Sequence, residues 1–177
     1  MTEKNDTSRL NEKYIFRNIR QEEITQAAEI EKICFPPNEA CSYEHMEKRV
    51  DKAPELFLVA EDSATGRIAG FLNGLATDRE HLTDDFFTDA EVHDPKGKNI
   101  MLLGLDVLPE YQHQGLAREL VRCYKEREKA NGREKLILTC LPDKVEMYQK
   151  FGFKDHGIGG SVWGGEAWHE MSVELRG

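Results

Sequence analysis

Leu105-Asp106-Val107-Leu108-Pro109-Glu110-Tyr111-Gln112-His113-Gln114-Gly115-Leu116-Ala117-Arg118 is the stretch whose reading decides the fold. An apolar run from Ile100 to Val107 leads into it, and a helical pattern from Leu116 to Asn131 leads out. The run reads as a buried strand, the polar middle as a turn, and Gly115 as the start of a helix. A helix N-terminus offers unpaired backbone N–H groups and the positive end of its dipole, which suits a phosphate. Gly115 and Ala117 are small, so a ligand can approach the backbone there. A dinucleotide-binding turn would need Gly-x-Gly-x-x-Gly, and this segment holds one glycine. A nucleoside-triphosphate loop is excluded because no Gly-Lys-Ser/Thr occurs.

Outward from this centre, the apolar patterns alternate between strands and helices. Tyr14–Ile19 reads as a first strand, and Gln21–Phe35 as a helix stopped by Pro36-Pro37. Its inward stripe runs through Ile24, Ala27, Ala28 and then Ile30 or Glu31. Ser42 is placed to cap a second helix ending near Lys52. Leu56–Ala60 and Arg67–Leu75 form a hairpin about Ser63–Gly66. The acidic stretch from Asp78 to Lys98 reads as a long loop, either functional or a surface insertion.

Asn99–Val107 is the central strand, Gly115–Asn131 its following helix, and Lys135–Cys140 a further buried strand. Two strands flanking a helix predict a parallel βαβ unit. A short helix from Lys144 to Phe151 follows, broken by Gly152. Lys154–Val162 and Ala167–Leu175 then read as a closing hairpin turning at Gly164-Gly165. The expectation is an α/β (mixed α+β) domain over residues 14–177, with a mostly antiparallel sheet flanked by helices. Residues 1–13 read as a loose tail.

Composition narrows the partners. With 177 residues and 39% hydrophobic content the chain can build one proper core. A net charge of −9 disfavours nucleic acid and anionic membranes and mildly favours a cationic small molecule. The four cysteines, Cys34, Cys41, Cys123 and Cys140, form no Cys-x-x-Cys pair, and the histidines have no zinc spacing, so no metal is expected. Reduced thiols and a polar N-terminus point to a cytoplasmic protein.

Gln112-His113-Gln114-Gly115-Leu116-Ala117, preceded by its strand and Pro109, resembles the acyl-CoA-binding motif of the Gcn5-related N-acetyltransferases (GNAT). The family pattern is Gln or Arg, two residues, Gly, one residue, then Gly or Ala. Tyr148-Gln149-Lys150-Phe151-Gly152-Phe153 resembles the family's Tyr-x-x-x-Gly-Phe ending of the following helix. The order of elements agrees from Tyr14 to Leu175. Pro54-Glu55-Leu56, Gly70-Phe71, Asp78–Thr83 and the closing hairpin look like the arylalkylamine N-acetyltransferase branch.

The resemblance implies an acetyl-CoA cosubstrate and direct transfer of the acetyl group to a primary amine, without an acyl-enzyme. Leu105, Asp106 and Val107 would lie along the pantetheine arm, paired like an added strand, with the Leu105 N–H polarising the thioester carbonyl. Backbone N–H groups from His113 to Arg118, opened by Gln112, would hold the pyrophosphate. Arg118 and Lys150 are candidates for other phosphates. Tyr148 would assist the departing sulfur, since a phenol of pKa about 10 can donate to a thiolate. Phe35 and Trp168 fall near aromatic substrate-wall positions, or are plain core aromatics.

One departure matters. The vertebrate enzymes of that branch use two histidines on the central strand; Met101 and Leu103 stand there, and neither accepts a proton. An ammonium cannot attack until it loses one. Glu39, His81, His169 and Asp106 are the alternatives, although alternation turns Asp106 away from Leu105 and Val107. The competing functions are a protein or peptide N-acetyltransferase, for which Asp84, Asp85, Asp89 and Glu91 would attract a basic chain, and a noncatalytic acyl-CoA-binding module. A homodimer is left open.

Overall fold

The computed structural model describes residues 9–176. Strands β1 (Tyr14–Asn18), β2 (Phe57–Asp62), β3 (Ile68–Thr77), β4 (Asn99–Val107), β5 (Lys135–Cys140), β6 (Lys154–Ile158) and β7 (His169–Glu174) form one sheet. Its spatial order is β1-β2-β3-β4-β5-β7-β6. Neighbours are antiparallel except β4 and β5, which run parallel around the crossover helix. The helices are α1 (Ile24–Cys34), α2 (Tyr43–Lys52), α3 (Asp85–Thr88), α4 (Leu116–Ala130) and α5 (Val145–Lys150). Among the described residues no helix is long and apolar enough to cross a membrane.

Local chemistry sets these elements. Every residue of β3 is buried, as expected of a central strand covered on both faces. Ser42 accepts from the His45 N–H at 3.2 Å and so caps α2. Leu116, Leu120, Val121 and Tyr124 form the inner face of α4, and the Tyr124 hydroxyl donates to the Leu56 carbonyl at 2.9 Å. The stripe of α1 buries Ile24, Ala27, Ala28 and Ile30, and also Glu31.

The decisive feature lies in β4. Asn73 faces Gly104 and Gly74 faces Leu102, so Leu103 has no partner on β3. One extra residue of this kind is a β-bulge and bends its strand. Parallel pairing with β5 covers only Asn99, Ile100 and Met101. Both strands continue past that point, to Val107 and to Cys140, without pairing to each other. The sheet therefore opens between them.

Three expectations change. The closing hairpin forms, but β6 stops at Ile158, its register breaks after Asp155, and β7 starts at His169. Gly157, Gly159 and Gly160 weaken strand structure there. The freed segment folds onto the loop after α1, where Asn38 Nδ2 donates to the Gly164 carbonyl at 3.1 Å and Trp163 Nε1 to the Glu39 carbonyl at 2.9 Å. Residues 1–8 of the expected tail lie outside the described residues; residues 9–13 are helical, and Leu10 is buried. The 78–98 stretch carries α3 and a 3₁₀ turn, Ala90–Val92, and packs Leu82 and Phe86 into the core.

Gly70 faces Val107 across the sheet, and a Cβ there would collide with the Asp106 carbonyl. Gly70→Ala should lower the unfolding free energy by about 1–3 kcal/mol in a urea titration. An unchanged midpoint would contradict this close approach.

Candidate active site

A cavity of about 690 Å³ fills the opening between β4 and β5. Leu103, Gly104, Leu105 and Val107 line it from β4, and Leu138, Thr139 and Cys140 from β5. The start of α4 closes one end, Tyr148 of α5 stands at the side, and the loops after α1 and β6 form the other end.

At the α4 end the backbone is set for an anion. Gln112 Nε2 donates to the Val107 carbonyl at 3.0 Å and ties the loop to the end of β4. His113 has φ +62°, the sole non-glycine with positive φ among the described residues, and Gly115 has φ +84°. These two left-handed residues curl the loop, and Gly115 bears the strain without a Cβ. The first helical bond runs from the Glu119 N–H to the Gly115 carbonyl at 3.1 Å. Ahead of it, the backbone N–H groups of residues 113–117 find no acceptor among the described residues. They sit at the positive end of a 15-residue helix. His113, Gly115, Leu116, Ala117 and Arg118 line the cavity. Gln114 does not: its Oε1 accepts from Lys13 Nζ and the Tyr14 hydroxyl, each at 2.9 Å, so its side chain turns outward.

Tyr148 stands edge-on to Phe151 and Phe153, with ring centroids 6.1 and 5.7 Å away. Burial above all, with the electrostatic influence of Cys140 and Asp106 after it, pushes its hydroxyl well above the usual phenol range. It is therefore a donor at neutral pH and not a base. Burial also raises the thiols on the cavity wall, Cys34 and Cys41 to about 11 and Cys140 to about 12. Neutral thiols are poor nucleophiles, which weighs against a covalent cysteine route.

The far end is aromatic. Phe87 and Trp163 stack at 5.1 Å and 24°, Trp168 Nε1 donates to the Trp163 carbonyl at 2.7 Å, and Phe35 completes the wall. Glu39 lies there too, its carboxyl raised by burial and then by Glu166 and Asp143.

A model of the acetyltransferase (GNAT) family matches residues 24–153. The chain belongs to this family. It is similar to the probable hydrolase YhcX of Bacillus subtilis (strain 168), at 27% identity over 158 residues, covering 85% of this chain and 30% of that protein. The chain thus spans less than a third of that relative. Among solved structures it is similar to the loading GNATL domain of CurA from Lyngbya majuscula, with TM-score 0.81, 18% identity and coverage of 92% and 98%. It is also similar to the GNAT family N-acetyltransferase YhbS from Escherichia coli in complex with CoA, with TM-score 0.62, 21% identity and coverage of 92% and 82%. Likeness at these identities establishes the shared fold.

This GNAT chain gathers some predicted residues and leaves others aside. His81 has a side chain 79% exposed, pairs with Glu170 at 2.8 Å, and does not line the cavity. His169 is held by Asp155 at 3.0 Å, and Lys150 faces Glu146 at 3.6 Å on the surface. The Asp106 side chain is fully buried on the face opposite Leu105 and Val107, as alternation predicts. Sequence reasoning missed Arg49, Phe87 and Trp163 as cavity residues, and it left Glu31 as an undecided member of the α1 stripe. For Glu31 the signal was present: a charge within a helix's apolar stripe.

Burial and then the charges of Glu31 and Cys34 raise the Asp106 carboxyl well above its ordinary 3.8, against a lowering by Arg49. Its contribution to stability is thus complete below the ordinary value and is lost as pH rises through the raised folded value. Asp106→Asn should flatten the fall of Tm with rising pH above about 4. Parallel wild-type and mutant curves between pH 4 and 9 would refute this, because an unperturbed carboxylate gives no such slope.

Proposed function

We propose that this chain is an acetyl-CoA-dependent N-acetyltransferase acting on a primary amine, with an arylalkylamine as the favoured acceptor class. The observation that carries the reading is one continuous cavity that reaches from His113, Gly115, Leu116 and Ala117, with their unpaired N–H groups, to Tyr148. Those donors, with the helix dipole, suit the pyrophosphate of coenzyme A. The unpaired edge of β4 beyond Met101 can accept the pantetheine arm as an added strand. YhbS, a relative of the same fold, was solved with CoA, which supports the choice of cosubstrate.

The chemistry is direct transfer. The neutral amine attacks the thioester carbon while the Leu105 N–H polarises the carbonyl. The C–S bond breaks, Tyr148 gives its proton to the departing thiolate, and the proton that the nitrogen sheds in becoming an amide passes to solvent, which reprotonates the phenolate. Phe35, Phe87, Trp163 and Trp168 offer flat apolar faces to an aryl group, and Glu39 offers charge to its ammonium. The peptide reading gains less support, because its acidic residues are engaged. Asp84 binds the Ser161 hydroxyl and the Val162 N–H, Asp85 pairs with Arg79, and Glu91 pairs with Lys52.

An assay of CoA release over tryptamine, phenethylamine, polyamines and a lysine peptide tests this. Arylalkylamines should turn over fastest, and Tyr148→Phe should lower kcat by about 10²-fold with acetyl-CoA affinity unchanged. No release with any amine would refute the activity; faster turnover of the lysine peptide would refute the acceptor class.

A further inference from the structure

Arg49 breaks the apolar stripe of α2. Met46 and Val50 are buried on that helix, and Arg49 goes in with them at 4% exposure. Arginine is seldom buried without a carboxylate beside it. Among the described residues no carboxylate pairs with this one. Nη2 donates to the Phe87 carbonyl at 3.0 Å, Nη1 reaches Asn73 Oδ1 at 3.4 Å, and Nε has no acceptor. Both acceptors are neutral, and a guanidinium carries more N–H donors than these two bonds use. The buried carboxyls nearby are turned elsewhere. Glu31 Oε2 accepts from the Cys41 N–H at 2.9 Å, and Glu31 and Asp106 face one another. Two carboxyls so placed hold a proton between them, because both cannot ionise cheaply. Arg49 acts on Asp106 only through space.

Arg49 lines the cavity at its aromatic end. The carbonyl that it holds belongs to Phe87, and the Phe87 ring stacks on Trp163. Through Asn73 it is also tied to the segment where the amine would react. Asn73 Nδ2 donates to the Gly104 carbonyl at 3.4 Å, and Leu105 follows Gly104 on β4. A buried cation with donors to spare thus stands between the aromatic wall and the place where nitrogen meets the thioester. The anion seat at the start of α4 lies at the other end of the cavity.

We propose that the acceptor is an α-amino acid with an aromatic side chain, and that Arg49 selects it by binding its carboxylate. This rests on the amine-acetylation reading above and narrows the arylalkylamine to one that bears a carboxylate. An α-carboxylate is joined to the same carbon as the nitrogen. With the nitrogen held at Leu105, it needs an anchor close to Gly104, and Arg49 is the cation tied there through Asn73. A guanidinium meets a carboxylate as a planar fork, which adds direction to charge. The aryl group then lies along Phe87 and Trp163. An amine without the carboxylate leaves the buried guanidinium unpaired, and a site built this way rejects it. Arg49 is a specificity-determining residue here; the bonds made and broken remain those of amine acetylation.

The test measures kcat/KM for L-tryptophan against tryptamine and for L-phenylalanine against phenethylamine, in wild type, Arg49→Met and Arg49→Lys. Each pair differs by the carboxylate alone. Wild type should favour the amino acids by at least about 10-fold, and Arg49→Met should lose about 10²-fold on the amino acids and little on the amines. Arg49→Lys keeps the charge without the fork and should fall between. Equal losses on both members of a pair mean that Arg49 merely holds Phe87 in place, and they overturn the proposal. So does a wild type that prefers tryptamine, a comparison that stands even where a variant fails to fold. Faster use of succinyl-CoA than acetyl-CoA with tryptamine, lost in Arg49→Met, gives the guanidinium to the acyl group and overturns the proposal too. Wild type that acetylates amines and ignores the carboxylate leaves the amine reading standing. Absence of CoA release with every acceptor refutes that reading instead. Calorimetry with indole-3-propionate, which has the aryl group and carboxylate but no amine, then decides the anion site. Wild type should bind it at least about 10-fold more tightly than Arg49→Met, and equal affinity overturns the proposal.

Discussion

The parting of β4 from β5 after Met101 is the constraint on which the rest of the structure depends. Leu103 is unopposed on β3, so β4 bends away while β5 stays bound to β7 on its other side. Backbone groups on an open edge inside a domain need partners, and beyond the third pair β5 supplies none to this edge. The cavity, the exposed edge and the approach to α4 all follow from that single irregularity. Tyr148 is brought alongside because α5 follows directly from β5 through the turn at Pro142–Lys144.

A second theme is buried charge. Glu31, Arg49, Asn73 and Asp106 are all nearly inaccessible, and their contacts leave several polar atoms unsatisfied. A core built for stability alone would hold leucines at these positions. Local rules broken together at one place, beside a cavity, are typical of a site in which reactivity outweighs stability. The cavity thiols make the contrast: burial raises all three, and the Arg49 charge beside Cys41 does not offset it.

The sequence stretch Leu105–Arg118 was legible because its strand, loop and helix are contiguous, so the donors of residues 113–117 follow from local order. Tyr148 was legible for a similar reason, through the Gly152 break that follows it. The proximity of Glu31 and Asp106 was not, since it depends on how α1 lies across β4. Phe87 in the short helix α3 and Trp163 in the loop after β6 are far apart in sequence, and their stacking depends on the Asp84, Asn38 and Glu39 contacts. His81 looked promising within its loop, yet β7 places Glu170 beside it and holds it at the surface. The closing hairpin misled for the opposite reason beyond Ile158: an apolar residue such as Val162 suggested strand, while glycines set the backbone and left its side chain exposed.

Amide hydrogen exchange with and without acetyl-CoA bears most directly on the claim that the parted strands and the start of α4 seat the cosubstrate. Protection should rise in residues 102–107 and 113–118 together, with little change along β1 and β2. Acetyl-CoA that binds without slowing exchange in either segment would contradict the account.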